Sequence, residues 1–171
     1  MELSDIKENI FSIFNITKID DIGEKLMSCV KNADEKIYSN FAEMLNEDLS
    51  VDYLQPVYQY YLADRKEKKQ DYTPKCLSNL VGRLIGEADT ITDMCAGSGS
   101  LTIQKWNQDH EQKFILYEID ENVLPFLLFN MALRNIECTV YHADVLQQQV
   151  FRTYKICKGE NYGILESEEG I

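Results

Sequence analysis

Three carboxylates stand at the ends of short β-rich runs. Asp93 closes the run Asp89 to Met94 and is followed by Cys95-Ala96-Gly97-Ser98-Gly99-Ser100. Glu118 closes a second run, Phe114 to Ile119, and Asp144 lies just past a third, Cys138 to His142. Gly97 and Gly99 let the backbone turn sharply and approach a ligand closely. A carboxylate after a second strand suits the two hydroxyls of a ribose, because it can accept from both. Each such charge-assisted bond contributes roughly 1.5–3 kcal/mol. Taken singly, each acid also has an ordinary reading, Asp93 as a helix cap and Glu118 and Asp144 as surface loop acids.

These residues need a scaffold, and the spacing of apolar residues supplies one. After residue 72 the pattern alternates between helix and strand. Leu77, Leu80, Val81 and Leu84 form an inward face over Lys75 to Ile85. A helix begins at Leu101, and another runs from Asn122 to Asn135 with Pro125 in its first turn. Tyr162 to Leu165 reads as a fourth strand. Strand, helix, strand, helix, strand implies a parallel sheet with helices on its faces, which binds ligands at the carboxyl ends of its strands. Residues 1–65 read as a separate helical region. Ile6, Ile10, Ile13 and Phe14 are helically spaced, as are Ile22, Leu26, Cys29, Val30, Ala33, Ile37, Phe41, Met44 and Leu45. A third stretch starts at Asp52 and puts Tyr53, Leu54, Val57, Tyr58, Tyr61 and Leu62 on one side. The basic run Arg65-Lys66-Glu67-Lys68-Lys69 reads as a solvated linker between the two parts. The expected fold class is therefore α/β, with a partial parallel sheet over residues 66–171.

Composition narrows the partners. The chain has 171 residues and a formal net charge of −12, with 44% hydrophobic and 11% aromatic residues. That is one ordinary domain's length with enough apolar content for a core. Clustered Lys and Arg, needed to neutralise phosphates, are scarce, which argues against unaided DNA binding. No apolar stretch approaches the roughly 20 residues of a membrane span. The acidic start Met1-Glu2-Leu3-Ser4-Asp5 has no signal-peptide pattern, so a cytoplasmic location is expected. Five cysteines without C-x-x-C spacing and two histidines point to free thiols rather than a zinc site.

A dinucleotide and a sulfonium nucleoside both fit a glycine turn followed by an acid. NAD is supported by the distance from Gly97 to Glu118, about the 20 residues expected. Thr102 replaces the third glycine of that fingerprint, however, and Asp93 would face a pyrophosphate. S-adenosylmethionine (SAM) has an α-amine, a sulfonium, a ribose and an adenine, and no phosphate. It suits these acids better.

The same residues resemble a known family. Tyr72-Thr73-Pro74, a helix and then Asp93-Met94-Cys95-Ala96-Gly97-Ser98-Gly99-Ser100 are similar to the start of N6-adenine DNA methyltransferases. The closest likeness is to modification subunits of type I restriction systems. Asp52-Tyr53-Leu54 to Tyr60-Tyr61-Leu62 resembles the lead-in helix, and Leu116-Tyr117-Glu118-Ile119-Asp120 the acidic second motif. Asn130-Met131-Ala132-Leu133-Arg134-Asn135-Ile136 resembles the helix end after that motif, and His142-Ala143-Asp144-Val145-Leu146 the third motif. The resemblance covers about residues 50–146. It implies a Rossmann-like SAM-dependent methyltransferase sheet and SAM or S-adenosylhomocysteine as cofactor. It also implies roles. Tyr72, Thr73, Asp93 and the Cys95-Ala96-Gly97 to Gly99 turn would hold the methionine end. Glu118 would bind the ribose, Ile119 would pack on the adenine, and Asp144 would bond its amino group.

The catalytic signature of that family, Asn/Asp-Pro-Pro-aromatic after the fourth strand, has no counterpart. The chain holds 3 prolines, Pro56, Pro74 and Pro125, all before the third strand. The corresponding stretch would be Tyr162-Gly163-Ile164-Leu165 followed by Ser167-Glu168-Glu169-Gly170. The sequence thus leads to three readings. The chain is a SAM-binding protein without independent catalysis, an adenine-methylase component completed by a partner chain, or an interaction module with a vestigial cofactor site.

Overall fold

A computed structural model describes residues 2–64 and 73–170. Four helices come first: α1 (Leu3–Phe14), α2 (Ile22–Asn32), α3 (Glu35–Met44) and α4 (Leu54–Tyr61). Asn15, at φ 49°, closes α1 in the left-handed conformation. The apolar steps from Ile22 to Leu45 do not form one rod. Ala33 adopts φ 47°, and the Asp34 side chain accepts from the Ile37 amide at 3.2 Å to start α3. Asp52 starts α4 in the same way, accepting from the amides of Leu54 and Gln55 at 3.0 Å each.

The remainder alternates as expected up to β3. It comprises α5 (Lys75–Leu84), β1 (Thr90–Asp93), α6 (Ser100–Trp106), β2 (Lys113–Glu118), α7 (Leu124–Leu133), β3 (Cys138–Asp144), β4 (Gln149–Cys157) and β5 (Ile164–Gly170). The sheet order is β1-β2-β3-β4-β5. β1, β2 and β3 are parallel, with Asp93 opposite Leu116 and Glu118 opposite His142. β4 and β5 then run as an antiparallel meander. The parallel sheet expected from the sequence is found in β1 to β3, and the strands beyond Asp144 depart from it. Chain reversal takes only Val145 to Gln148, with Gln148 at φ 54°, which is too short for the crossover a parallel strand requires.

Alternation along the strands separates the two faces. Phe114, Leu116, Cys138, Val140, Tyr154 and Ile156 are buried beneath the helices. Ile115, Tyr117, Thr139, Tyr141 and Thr153 on the opposite face are only half-buried, with Tyr117 stacked on Tyr141 at 4.9 Å between centroids. The expectation of helices on both faces is met on one alone among the described residues. Over that face lies α7, apolar all round and correspondingly enclosed, touching the sheet at β3 and β4 and the helices α2 and α4. Its Phe129 ring meets Phe14, Tyr38 and Phe41 at 5.7, 5.2 and 5.2 Å. The N-terminal helices and the sheet thus share one hydrophobic cluster.

One helix face departs from the sequence expectation. Leu77, Leu80 and Leu84 of α5 point outward, at 46%, 52% and 74% exposure, and Val81 is half-buried. Small residues make the contact instead. Ser78 is fully buried, and a Cβ on Gly82 would lie 2.9 Å from Gln108 Nε2 and 3.4 Å from the Gln104 backbone. α5 therefore sits close against α6 through its narrow side and leaves its apolar stripe facing away.

Candidate functional site

The chain places Asp93, Cys95, Ala96, Gly97, Glu118 and Ile119 together at the carboxyl ends of β1 and β2. The Ala96 amide donates to the Tyr117 carbonyl at 2.9 Å, which ties the turn after β1 to β2. Glu118 is the hub. Its Oε2 accepts from the Gly97 amide at 2.7 Å, and its Oε1 accepts from the Asp120 amide at 2.8 Å. Gly97 makes this approach in the left-handed conformation, at φ 56°. His142 Nε2 lies 3.1 Å from the Ile119 carbonyl and fixes the loop from the β3 side. That leaves the Ile119 side chain 57% exposed at the mouth.

Burial raises the pKa of Glu118, aided by the Asp120 carboxylate and opposed by the Gly97 and Asp120 amides. Burial likewise raises Asp93, against the amide of Cys95 that donates to it at 3.0 Å. Neither carboxylate forms an ion pair among the described residues. The Cys95 thiol is pushed up by its surroundings, first by burial and then by the charges of Asp93 and Glu118. It stays a neutral thiol and not a nucleophile.

The other expected residues diverge. Asp144 ends β3 and turns its Oδ1 onto the amides of Leu146 and Gln147 at 3.0 Å each, where it holds the reversal into β4. Thr73 is half-buried, and its carbonyl accepts from Gln55 Nε2 at 3.3 Å. Tyr72 and the basic run 65–69 lie outside the described residues. Gly99, at φ 95°, meets α7: a Cβ there would lie 2.7 Å from Met131 Cε and 3.0 Å from Leu127 Cδ1. Its missing side chain serves that close packing. The stretch Ser167 to Gly170 is part of β5, the far edge of the sheet, four strands from the Gly97 turn. Glu168 is bound there to Lys31 and Arg152, at 2.6 and 3.3 Å. The stretch aligned with the missing signature therefore lies on the edge strand, away from the Gly97 turn.

A buried polar network stands behind the turn, and motif reading alone does not assign it. Ser98 Oγ donates to Asp52 Oδ2 at 2.5 Å. Asn130 Nδ2 donates to Asp52 Oδ1 and to the Ser98 carbonyl, both at 2.9 Å. Arg134 donates to Asn130 Oδ1 at 2.9 Å and to the carbonyls of Leu49 and Val51 at 2.8 Å. Burial draws the Arg134 pKa down to about 10, still well above neutrality, while the nearby Asp52 opposes the fall. Tyr58 OH donates to Asp120 Oδ2 at 3.1 Å and braces the loop after β2. The usable signal is Asn130 and Arg134, a polar pair one turn apart in and just past a helix that is otherwise apolar on every side.

The arrangement fits a ribose and a cationic group. Each Glu118 oxygen accepts one backbone amide, which leaves it a second lone pair for a hydroxyl. The Gly97 turn and Glu118 are already bound to one another, so the acceptor is oriented before any ligand arrives. Two carboxylates without counter-ions suit an ammonium or sulfonium end and oppose a pyrophosphate.

No curated protein matches the sequence. A crystal structure from Listeria monocytogenes, assigned to the class I S-adenosylmethionine-dependent methyltransferases, is similar at 16% identity with a TM-score of 0.45. The match covers 84% of this chain and 55% of that one, so the chain spans little more than half of its length. The family model for N-6 DNA methylases matches residues 49–159, which include the Asp52 lead-in, the glycine turn, Glu118 and Asp144. With the site's geometry beside that match, the chain belongs to the N-6 DNA methylase family, whose methyl donor is SAM.

Proposed function

We propose that this chain is a SAM-binding part of an adenine-specific DNA methylase and does not transfer methyl groups by itself. The observation that carries the reading is the Glu118 carboxylate, buried and clasped by the Gly97 and Asp120 amides at the ends of parallel strands. In this role Glu118 accepts from the ribose hydroxyls, and Asp93 with the Cys95-Ala96-Gly97 backbone meets the methionine end. Ile119 packs on the adenine, whose amino group bonds to Asp144. The family resemblance gives Thr73 and Tyr72 the methionine end to hold, and Gly99 keeps the turn seated on α7. Residues 66–171 form the cofactor part and residues 1–65 brace it, through Asp52 and Tyr58 above all. SAM supplies the methyl group when bound. The chain's own residues orient it and hold its cationic end against carboxylate charge.

Absence of independent catalysis is supported by the lack of any Pro-Pro pair and by the course of the chain after β3, which turns back as a hairpin. An extruded base needs a pocket and a positive groove, and the net charge of −12 opposes the latter. Apolar surface on α5 that no described residue covers favours a second reading, in which another chain supplies the catalytic and DNA-recognition parts. Restriction-modification is the setting that reading implies, and a cytoplasmic location goes with it. A neighbouring reading frame encoding Asn-Pro-Pro-Tyr would support it. Incubation of the isolated protein with adenine-containing duplex DNA and labelled SAM tests the first reading. No label is expected in the DNA, and transfer by the isolated chain would refute it.

A further inference from the structure

The loop after β2 is tied to β3 by a side chain. His142 Nε2 lies 3.1 Å from the Ile119 carbonyl, and a carbonyl can only accept, so the ring carries its proton on Nε2. The ladder between β2 and β3 ends at Glu118 opposite His142, one residue before Ile119. Beyond that point the His142 side chain takes over the join. A bulge in the next strand backs its ring. Along β3 and β4, His142 stands opposite Arg152 and Ala143 opposite Val150, so Phe151 is the extra residue. A regular ladder would set Phe151 opposite Ala143, on the face of the sheet away from His142. The bulge turns its ring onto the imidazole instead, with 4.9 Å between centroids.

We propose that His142, with Phe151 behind it, is a positioning residue for the adenine end of SAM. This role rests on the proposed cofactor site, and it falls to a residue to which the family resemblance gives no contact. Ile119, expected to pack on the base, has its side chain 57% exposed. Side-chain packing does little to hold it, so its place depends on its main chain. That main chain is tied at successive points. The Ala96 amide holds the Tyr117 carbonyl, and Glu118 holds the Asp120 amide. Both of these ties serve the ribose side. The His142 bond comes instead from β3, the strand that ends in Asp144. It thereby sets Ile119 relative to Asp144, the residue expected at the adenine amino group, before a ligand arrives. Without it the ribose acceptor and the Gly97 turn stay in place, and the base loses its fixed support.

The test compares two ligands on one protein. S-adenosylhomocysteine carries the base, whereas S-ribosylhomocysteine keeps the ribose and the amino acid and lacks it. Isothermal titration of the full chain should show tighter binding of the adenosyl compound. In His142→Ala that preference should shrink about threefold to tenfold, the contribution of one hydrogen bond. His142→Gln, whose side-chain amide can donate in place of Nε2, should keep it to within about twofold. A general loosening of the fold would weaken both ligands alike and leave the preference unchanged. Hydrogen exchange of the ligand-free chain gives a second readout. The Asp120 and Asn122 amides should exchange faster in His142→Ala, and those of Phe114 and Leu116 should not. An unchanged preference in His142→Ala, the same loss in His142→Gln, or unaltered exchange at Asp120 and Asn122 would overturn the role of His142 and leave the cofactor site standing. Binding of neither ligand by the unaltered chain would overturn the cofactor reading and this role with it.

Discussion

The interior behind the Gly97 turn and the surface over α5 are opposite in construction. Behind the turn, Asp52, Ser98, Asn130 and Arg134 are buried and every charge has a partner. Over α5, three leucines of one stripe face outward, and among the described residues no strand pairs with the outer edge of β1. The cofactor side is pre-organised by the chain itself. The α5 side has apolar surface that no described residue buries.

Breaking the interior should have the largest effect. Arg134→Met takes the donor from the carbonyls of Leu49 and Val51 and from the Asn130 side-chain oxygen, and it removes the buried positive charge that opposes Asp52. A loss of about 3–5 kcal/mol in urea unfolding is expected. Gly99→Ala should come next. At φ 95° with Met131 Cε 2.7 Å from the new Cβ, it should cost about 1–3 kcal/mol and disturb the turn as well. A loss below about 0.5 kcal/mol for either would mean that the interior is no more committed than the edge.

The site should show a pH signature that the edge lacks. Glu118 and Asp93 have folded pKa values raised by burial. The folded state therefore binds protons more readily than the unfolded chain at these two sites. Their cost to stability is present at neutral pH and relieved as pH falls through the raised values. A cationic ligand has the reverse dependence, since it needs both groups ionised. SAM affinity should therefore decline on acidification before ordinary carboxylates, near pH 4, would titrate. Calorimetry across that range checks the sign, and affinity that rises on acidification would break the assignment of these acids. The smallest effect belongs to the edge. Leu84→Lys should change unfolding free energy by no more than about 0.5 kcal/mol, because among the described residues nothing covers Leu84.

Much of the site was legible because it is local in sequence. Asp93 with its glycine turn, and Glu118 after the next strand, are each marked by a short apolar run and a breaker. Strands β1 to β3 and helices α6 and α7 come from the same periodicities. The hairpin was not legible, since Gln147-Gln148-Gln149 lacks the Gly or Asn that announces a reversal, and Gln148 takes the left-handed conformation unaided. The outward leucines of α5 run against expectation because periodicity finds a face and not the element that covers it. Asp52 escaped because its partners lie 46 and 78 residues away, distances at which no spacing rule operates.

The central claim is that Glu118 is a ribose acceptor held ready by the Gly97 and Asp120 amides. Isothermal titration of the full chain with SAM, S-adenosylhomocysteine and NADH tests it most directly, with Glu118→Ala measured alongside. Both adenosyl compounds should bind and NADH should not. Glu118→Ala, still folded by thermal unfolding, should lose at least about tenfold in affinity, the least that one charge-assisted bond of roughly 1.5 kcal/mol supplies. No heat with SAM at high protein concentration, or unchanged affinity in the variant, would contradict the account.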